Sequence, residues 1–500
     1  MYQPVQPMRL DRPRVGVGRI VVGVLAAVGV GLALTLLVLS WGALAAETGG
    51  SCGGTYQNEC PQGLSVMLTL SIISLFILVP VMFGALLKTA KIGCVSALAA
   101  IAVGIYPGLA IFNGLHGKTL GAVWQAPYDQ GTNERASGSW GFDGTVVRAR
   151  FDGLIAYDVA TGHQRWTFPV PGQQVLCGMG RHLAGGVGLV AYALENQTCD
   201  QVAAIDTATG RQLWTRKMTG NALPSSLTAD VFDVAGQIAL LRTATGVDGV
   251  DVRTGVKRWS QRAGMIGVYQ CWFNHVTGGT DQVLTEVECP LHPPSLRMLD
   301  AATGRQRWDF PVPSQAQSVN VTLLSASPAV VHIQESGLRG TESVLSLDDT
   351  GRTRATIPMT AGSDQYDTGD HGFQAVPVRR LIVGGGVLVA VDRPAAGDYQ
   401  LVGFDLADGH RAWSYGLGSD RVQAIQLDGA RLVALLGSSS QPQLRTLTVA
   451  DGKAQGGAEP LLLGDLTSEL TVYGLGPYLA IVCDEGYAPW DRPISVIKRG

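Results

Sequence analysis

The chain has 500 residues with only 15% charged and a mean hydropathy of +0.18, too long for one ordinary domain and too apolar for a wholly water-soluble chain. A formal net charge of −3 without a basic stripe gives no footprint for nucleic acid. No P-loop, nucleophile–base arrangement or metal-ligand spacing stands out, so the sequence announces no enzyme, and no cofactor is predicted.

Residues 1–19, rich in Pro and Arg, read as a cytoplasmic tail. Three stretches almost free of charge follow, 20–46, 64–87 and 92–115, each long enough to cross a ~30 Å hydrocarbon core as a helix. Arg9, Arg12, Arg14 and Arg19 precede the first, the loop 47–63 has no Lys or Arg, and Lys88 and Lys91 lie before the third. The positive-inside rule then places the N-terminus in the cytoplasm, loop 47–63 outside and everything beyond residue 116 outside. A cleaved signal peptide is the alternative for the first stretch, with small residues at Ala43-Leu44-Ala45. Small residues at Gly23, Ala27 and Gly31, and at Ser96, Ala100, Gly104 and Gly108, suit close packing of the three helices on one another. A helix-mediated homo-oligomer is the other use of that spacing. The expected plan is a three-helix anchor over 20–116 and an extracytoplasmic domain over 117–500.

Cysteines agree with an oxidising side. Cys52 and Cys60 share the outer loop, and Cys177 with Cys199 and Cys271 with Cys289 form close pairs, read as disulfide candidates whose connectivity the sequence leaves open. Thirty Arg against seven Lys suggests a high-GC bacterium and hence its plasma membrane.

Within 117–500 one phrase returns: AYDVATGHQRW (Asp158, Gly162, Trp166), AIDTATGRQLW (Asp206, Gly210, Trp214), VDVRTGVKRW (Asp251, Gly255, Trp259), LDAATGRQRW (Asp300, Gly304, Trp308) and FDLADGHRAW (Asp405, Gly409, Trp413). Weaker copies surround Gly351, where the aligned Asp and the Trp are missing, and Gly452. Apolar alternation leads into an Asp that can accept backbone N–H groups of a turn, Gly permits positive φ, and Trp supplies a flat anchor between neighbouring units. Such residues, recurring in every unit, are architectural. A period near 47 residues matches one four-stranded propeller blade. Gly117 to Gly500 is 384 residues, 48 for each of eight blades, with seven as the alternative. The chain stops before the last outer strand, and Gly121–Pro127, carrying Trp124, is expected to supply it beside Ile494–Ile497. The fold class is therefore all-β, an eight-bladed β-propeller preceded by three transmembrane α-helices.

The full phrase, at residues 156–166 and 204–214, resembles the tryptophan-docking repeat of the PQQ-like β-propeller superfamily, over essentially all of 117–500. The resemblance implies one of two roles. Non-enzymatic members similar to the periplasmic assembly-scaffold lipoprotein bind protein, whereas quinoprotein dehydrogenases use pyrroloquinoline quinone and calcium, with a disulfide between adjacent cysteines. No Cys-Cys dipeptide occurs in this sequence, and no lipobox lies near its start. The reading is a non-enzymatic, membrane-anchored binding or scaffold module for an envelope protein or cell-wall component, the calcium-dependent dehydrogenase being the alternative. Tyr487, Trp490 and Arg492, in a segment with Pro489 and Pro493, have the composition of a partner surface. The acidic loop with Asp364, Asp367 and Asp370 reads as solvated.

Overall fold

The computed structural model describes residues 17–48, 64–86, 92–116, 120–195, 197–218, 231–314, 318–336, 340–361, 364–367, 380–393, 398–418, 420–437, 442–463, 466, 470–486 and 492–499. The chain divides into two compact units, Met1–Thr119 and Leu120–Gly500.

The first unit holds three helices, α1 (Val17–Thr48), α2 (Leu64–Leu86) and α3 (Ile92–His116). Among the described residues two segments, Val21–Ala43 and Val66–Ala85, are long and apolar enough to cross a membrane; the apolar stretch of α3, Ser96–Phe112, is shorter than the expected third span. Their outward side chains include Leu25, Val38, Phe76 and Leu98, all exposed, a surface that suits hydrocarbon and not water. Glycine sets the packing between α1 and α3. A Cβ on Gly31 would collide with the backbone carbonyl of Ile101, and one on Gly104 with that of Val28, so the two backbones touch. Thr35 and Ser71 turn their hydroxyls onto the carbonyls of Gly31 and Met67, at 2.9 and 2.6 Å, which satisfies them inside their own helices.

The second unit is strand-rich and propeller-like. Four consecutive antiparallel strands run through each of the sheets spanning 136–169, 174–217, 232–262, 272–311 and 319–358, and the first of these also takes the short strand Glu485–Gly486 beside Ala136 and Ser137. A sixth sheet pairs Ile382–Gly384, Val387–Asp392, Tyr399–Asp405 and Arg411–Gly418. The next contains Val422–Asp428, Arg431–Leu436, Gln443–Thr448 and Glu459–Leu462. The last takes Leu470–Leu475, Tyr478–Cys483 and Ile494–Lys498 from the end of the chain and Leu120–Gln125 from the start of the unit. Ala122 lies opposite Ile497, Trp124 opposite Val496 and Gln125 opposite Ser495. The Gln125 amide donates to Ser495 Oγ at 2.9 Å, so the expected closing strand is in place. Leu120 also pairs in parallel with Leu461 of the preceding sheet.

Strand position explains the residue patterns. The second strand of the second sheet, Val187–Leu194, is buried on both faces and reads as one apolar run. The outer strand Gln164–Pro169 alternates, burying Trp166 and Phe168 and exposing its neighbours. Cores form between successive sheets; one cluster joins Trp140, Leu154 and Trp166 of the first sheet to Met179, Val190 and Ile205 of the second.

Candidate functional site

Each repeat phrase is a turn with its own hydrogen-bond set. Asp158 Oδ1 accepts the N–H groups of Ala160 and Thr161 and the Thr161 hydroxyl at 2.9 to 3.0 Å. Asp206, Asp251 and Asp300 accept the equivalent Thr209, Thr254 and Thr303 groups. Asp405 accepts the Ala407 N–H at 2.7 Å. Gly162, Gly210, Gly255, Gly304 and Gly409 all have φ between +68° and +82°. An Arg seven places after the Asp closes three of the turns, Arg165 on Asp158, Arg258 on Asp251 and Arg307 on Asp300, at 2.5, 2.8 and 2.9 Å. These guanidinium bonds, with the Thr groups, hold the Asp300 carboxyl at about 2 and lower those of Asp158 and Asp251.

The tryptophans act on the following repeat. Trp166 lies over Gly210, where a Cβ would sit 2.5 Å from the ring; Trp124 covers Gly162, Trp214 covers Gly255, Trp259 covers Gly304, Trp308 covers Gly351 and Trp413 covers Gly452. Indole N–H groups of Trp124, Trp166, Trp214, Trp259 and Trp413 donate to Val159, Thr207, Val252, Ala301 and Val449 carbonyls at 2.7 to 2.9 Å. The copy at Gly351 departs from the sequence alignment. Leu347 occupies the aligned Asp position, but Asp348, in a turn one residue shorter, accepts from Thr350 and Arg352. Ala355 stands where a Trp would be, and a Cβ on Gly409 would meet it at 3.3 Å.

Cys177 is bonded to Cys199 and Cys271 to Cys289. Cys52, Cys60, Tyr487 and Trp490 lie outside the described residues. Arg492, the remaining residue of the expected partner surface, donates to the Ala126 carbonyl at 3.3 Å and stacks 3.9 Å from the centroid of Tyr128, so it packs on the start of the same unit. Asp367 lies 3.5 Å from Arg393 and 3.9 Å from Arg380; Asp370 is outside the described residues.

The sequence reading missed a cavity of about 530 Å³ along the axis of the second unit. Its walls come from the first strands of several sheets and the residues next to them, and include Trp140, Phe142, Arg181, His182, Leu427 and Tyr473. Arg181 Nη1 donates to the Leu323 carbonyl at 3.0 Å, reaching from the second sheet to the fifth. His182 Nδ1 is 2.7 Å from the buried Asp233, which also accepts the His182 and Gly278 N–H groups. Burial opposes charge on Asp233, yet the imidazole and the backbone donors outweigh it and hold the carboxyl below its usual range. Tyr473 donates to the Ser139 carbonyl at 2.9 Å. The only signal in the sequence was an Arg-His pair in the otherwise apolar and Gly-rich stretch after Cys177, and these residues do not recur in the repeat.

Stacked antiparallel sheets whose tryptophans dock onto the turn glycine of the next repeat define a β-propeller of the PQQ-like class. The family described as outer membrane protein assembly factor BamB matches residues 115–266 and 296–475, and the chain belongs to that family. No curated protein sequence matches it. Similar solved structures include the computationally designed protein Ika8, at 14% identity and a TM-score of 0.47 over 75% of this chain and 100% of that one. BamB from Moraxella catarrhalis is 13% identical with a TM-score of 0.41, over 76% of this chain and 100% of that one. Quinohemoprotein alcohol dehydrogenase from Comamonas testosteroni is 13% identical with a TM-score of 0.45, over 76% of each chain.

Proposed function

We propose that this chain is a non-enzymatic scaffold of the cell envelope, an eight-bladed propeller held at the plasma membrane by its N-terminal helices and offering an extracytoplasmic face to a protein or cell-wall partner. The observation that carries the reading is the family match over both halves of the strand-rich unit. The register of the closing strand supports eight blades, because Leu120–Gln125 pairs as the outer strand beside Ile494–Lys498. A quinone cofactor does not fit the residues described. The two disulfides join residues 22 and 18 apart, so neither is the adjacent pair of a quinoprotein, and the described lining of the axial cavity holds no Asp or Glu for calcium.

Cross-linking of native membranes followed by purification of the full chain should recover one dominant envelope partner. The same full-length protein, supplied with pyrroloquinoline quinone and calcium, should oxidise neither alcohols nor sugars in a dye-linked assay. Dye reduction that depends on added quinone would overturn the scaffold reading.

A further inference from the structure

We propose that the hairpin at residues 264–270 pairs edge to edge with the same hairpin of a second copy of this chain. Strands Met265–Ile266 and Tyr269–Gln270 form a sheet of their own, Met265 opposite Gln270 and Ile266 opposite Tyr269, around a two-residue loop in which Gly267 takes φ +59°. All seven residues are exposed. Met265, Ile266, Val268, Tyr269 and, in the turn beyond Cys289, Leu291 are half of the ten large apolar side chains exposed in the described second unit; Val268 at 83% and Leu291 at 85% are the most exposed of all. The Cys271–Cys289 bond brings that turn to the foot of the hairpin, where Arg297 Nη1 donates to the Arg262 and Ala263 carbonyls at 3.3 and 3.1 Å. The foot is thus held, and little chain freedom is left to lose on binding.

So concentrated an apolar patch marks a contact, and its open edges select the occupant. The two-stranded sheet pairs with no other described strand. Residues 263–273 contain no charged residue and no Pro, the devices that keep a sheet edge from pairing. A bilayer would cover the apolar side chains but leave the edge N–H and C=O groups unsatisfied, which hydrocarbon does not tolerate. A second strand covers the side chains and satisfies the edge. The same hairpin, turned about a two-fold axis, supplies such a strand, and two uncharged copies do not repel each other. A contact of two such hairpins is smaller than the ~800 Å² per partner of a standard interface, so the pair is expected between chains concentrated in one membrane, not in dilute detergent. The scaffold reading is independent of this pairing, since an envelope partner can bind one chain or two.

The full chain, carrying the photo-cross-linker p-benzoylphenylalanine in place of Val268, is irradiated in its native membranes, and the adducts are sized by mass. A chain–chain adduct should dominate, about tenfold stronger than with the same group at Val256, which is exposed in the turn after Gly255. Adding Ile266→Asp should lower it about tenfold, because two copies then set like charges against each other. Coexpressing Ile266→Asp chains with Ile266→Lys chains should restore it. Thermal melts identify a variant that fails to fold, and Met265→Asp then takes the place of Ile266→Asp. Four results would overturn the proposal: no adduct, a dominant adduct with lipid or with another protein, equal chain–chain adducts from positions 268 and 256, or an adduct indifferent to the folded Asp variant. An adduct with another protein would leave the scaffold reading standing.

Discussion

A tryptophan that docks on a neighbour's glycine makes the two residues one unit of stability. Trp166 is 8% exposed, so Trp166→Ala should cost roughly 3–5 kcal/mol in chemical denaturation. Trp124 is only half-buried, and its truncation should cost less than that of Trp166. Gly210 has φ +71° and the Trp166 ring 2.5 Å from where a Cβ would stand; Gly210→Ala should therefore destabilise by at least about 1 kcal/mol, through both strain and displacement of the indole. The turn aspartates add a pH dependence with a definite sign. Arg307 and Thr303 hold Asp300 at about 2 in the folded chain, against ~3.9 unfolded, so its contribution is complete above pH 4 and fades as pH falls toward 2. Asp300→Asn should reduce stability at pH 7, by on the order of 1 kcal/mol for an exposed pair, and should flatten the wild-type loss between pH 4 and 2. Equal acid sensitivity in both proteins would refute the role of Asp300. The Asp, Gly and Trp were legible because they repeat. Asp348 was not, because shortening the turn by one residue shifts the Asp out of alignment while its carboxylate still reaches the same backbone groups.

At the level of elements, the first strand of the propeller-like unit has the widest consequence, since it pairs with a strand some 370 residues away. It was legible from a register count, because residues 117–500 divide into units of 48 and Gly121–Pro127 carries a Trp 42 residues before Trp166. Replacing residues 120–126 of the full chain by a Gly/Ser segment of equal length weakens the pairing with Ile494–Lys498 and with Leu461 and Leu462, and exposes two edges. That variant should melt lower than Trp124→Ala, aggregate on heating and become sensitive to proteolysis at 494–498. A melting temperature equal to that of Trp124→Ala would show that the strand does not close the unit. The helices show the limit of periodicity: spacing identified Gly31 and Gly104 as packing residues, whereas apolar length credited α3 with a longer stretch than the 17 residues of Ser96–Phe112. The axial cavity was illegible for a different reason, since its walls come from the first strands of several sheets and the residues next to them, and Arg181 and Leu323, which meet there, are 142 residues apart.

For the whole molecule, the disulfides and the charge asymmetry around the helices make one joint prediction about sidedness. Cys177–Cys199 and Cys271–Cys289 close segments of 22 and 18 residues, each removing on the order of 3 kcal/mol of chain freedom from the unfolded state; such bonds persist on the oxidising side of a membrane. Reduction should therefore lower the melting temperature of the full chain, and these four cysteines should resist alkylation in intact cells. Sidedness itself is read by a cysteine placed where the described surface is open. Val256 is 56% exposed in the turn after Gly255, whereas Gln6 precedes the Arg cluster that the positive-inside rule keeps in the cytoplasm. A thiol reagent that cannot cross membranes should label Val256→Cys on intact cells and should leave Gln6→Cys unlabelled until the membrane is broken. Native Cys483 is buried, so it should contribute little background. Labelling of Gln6→Cys alone on intact cells would invert the topology, and labelling of both would mean that the helices cross the membrane an even number of times.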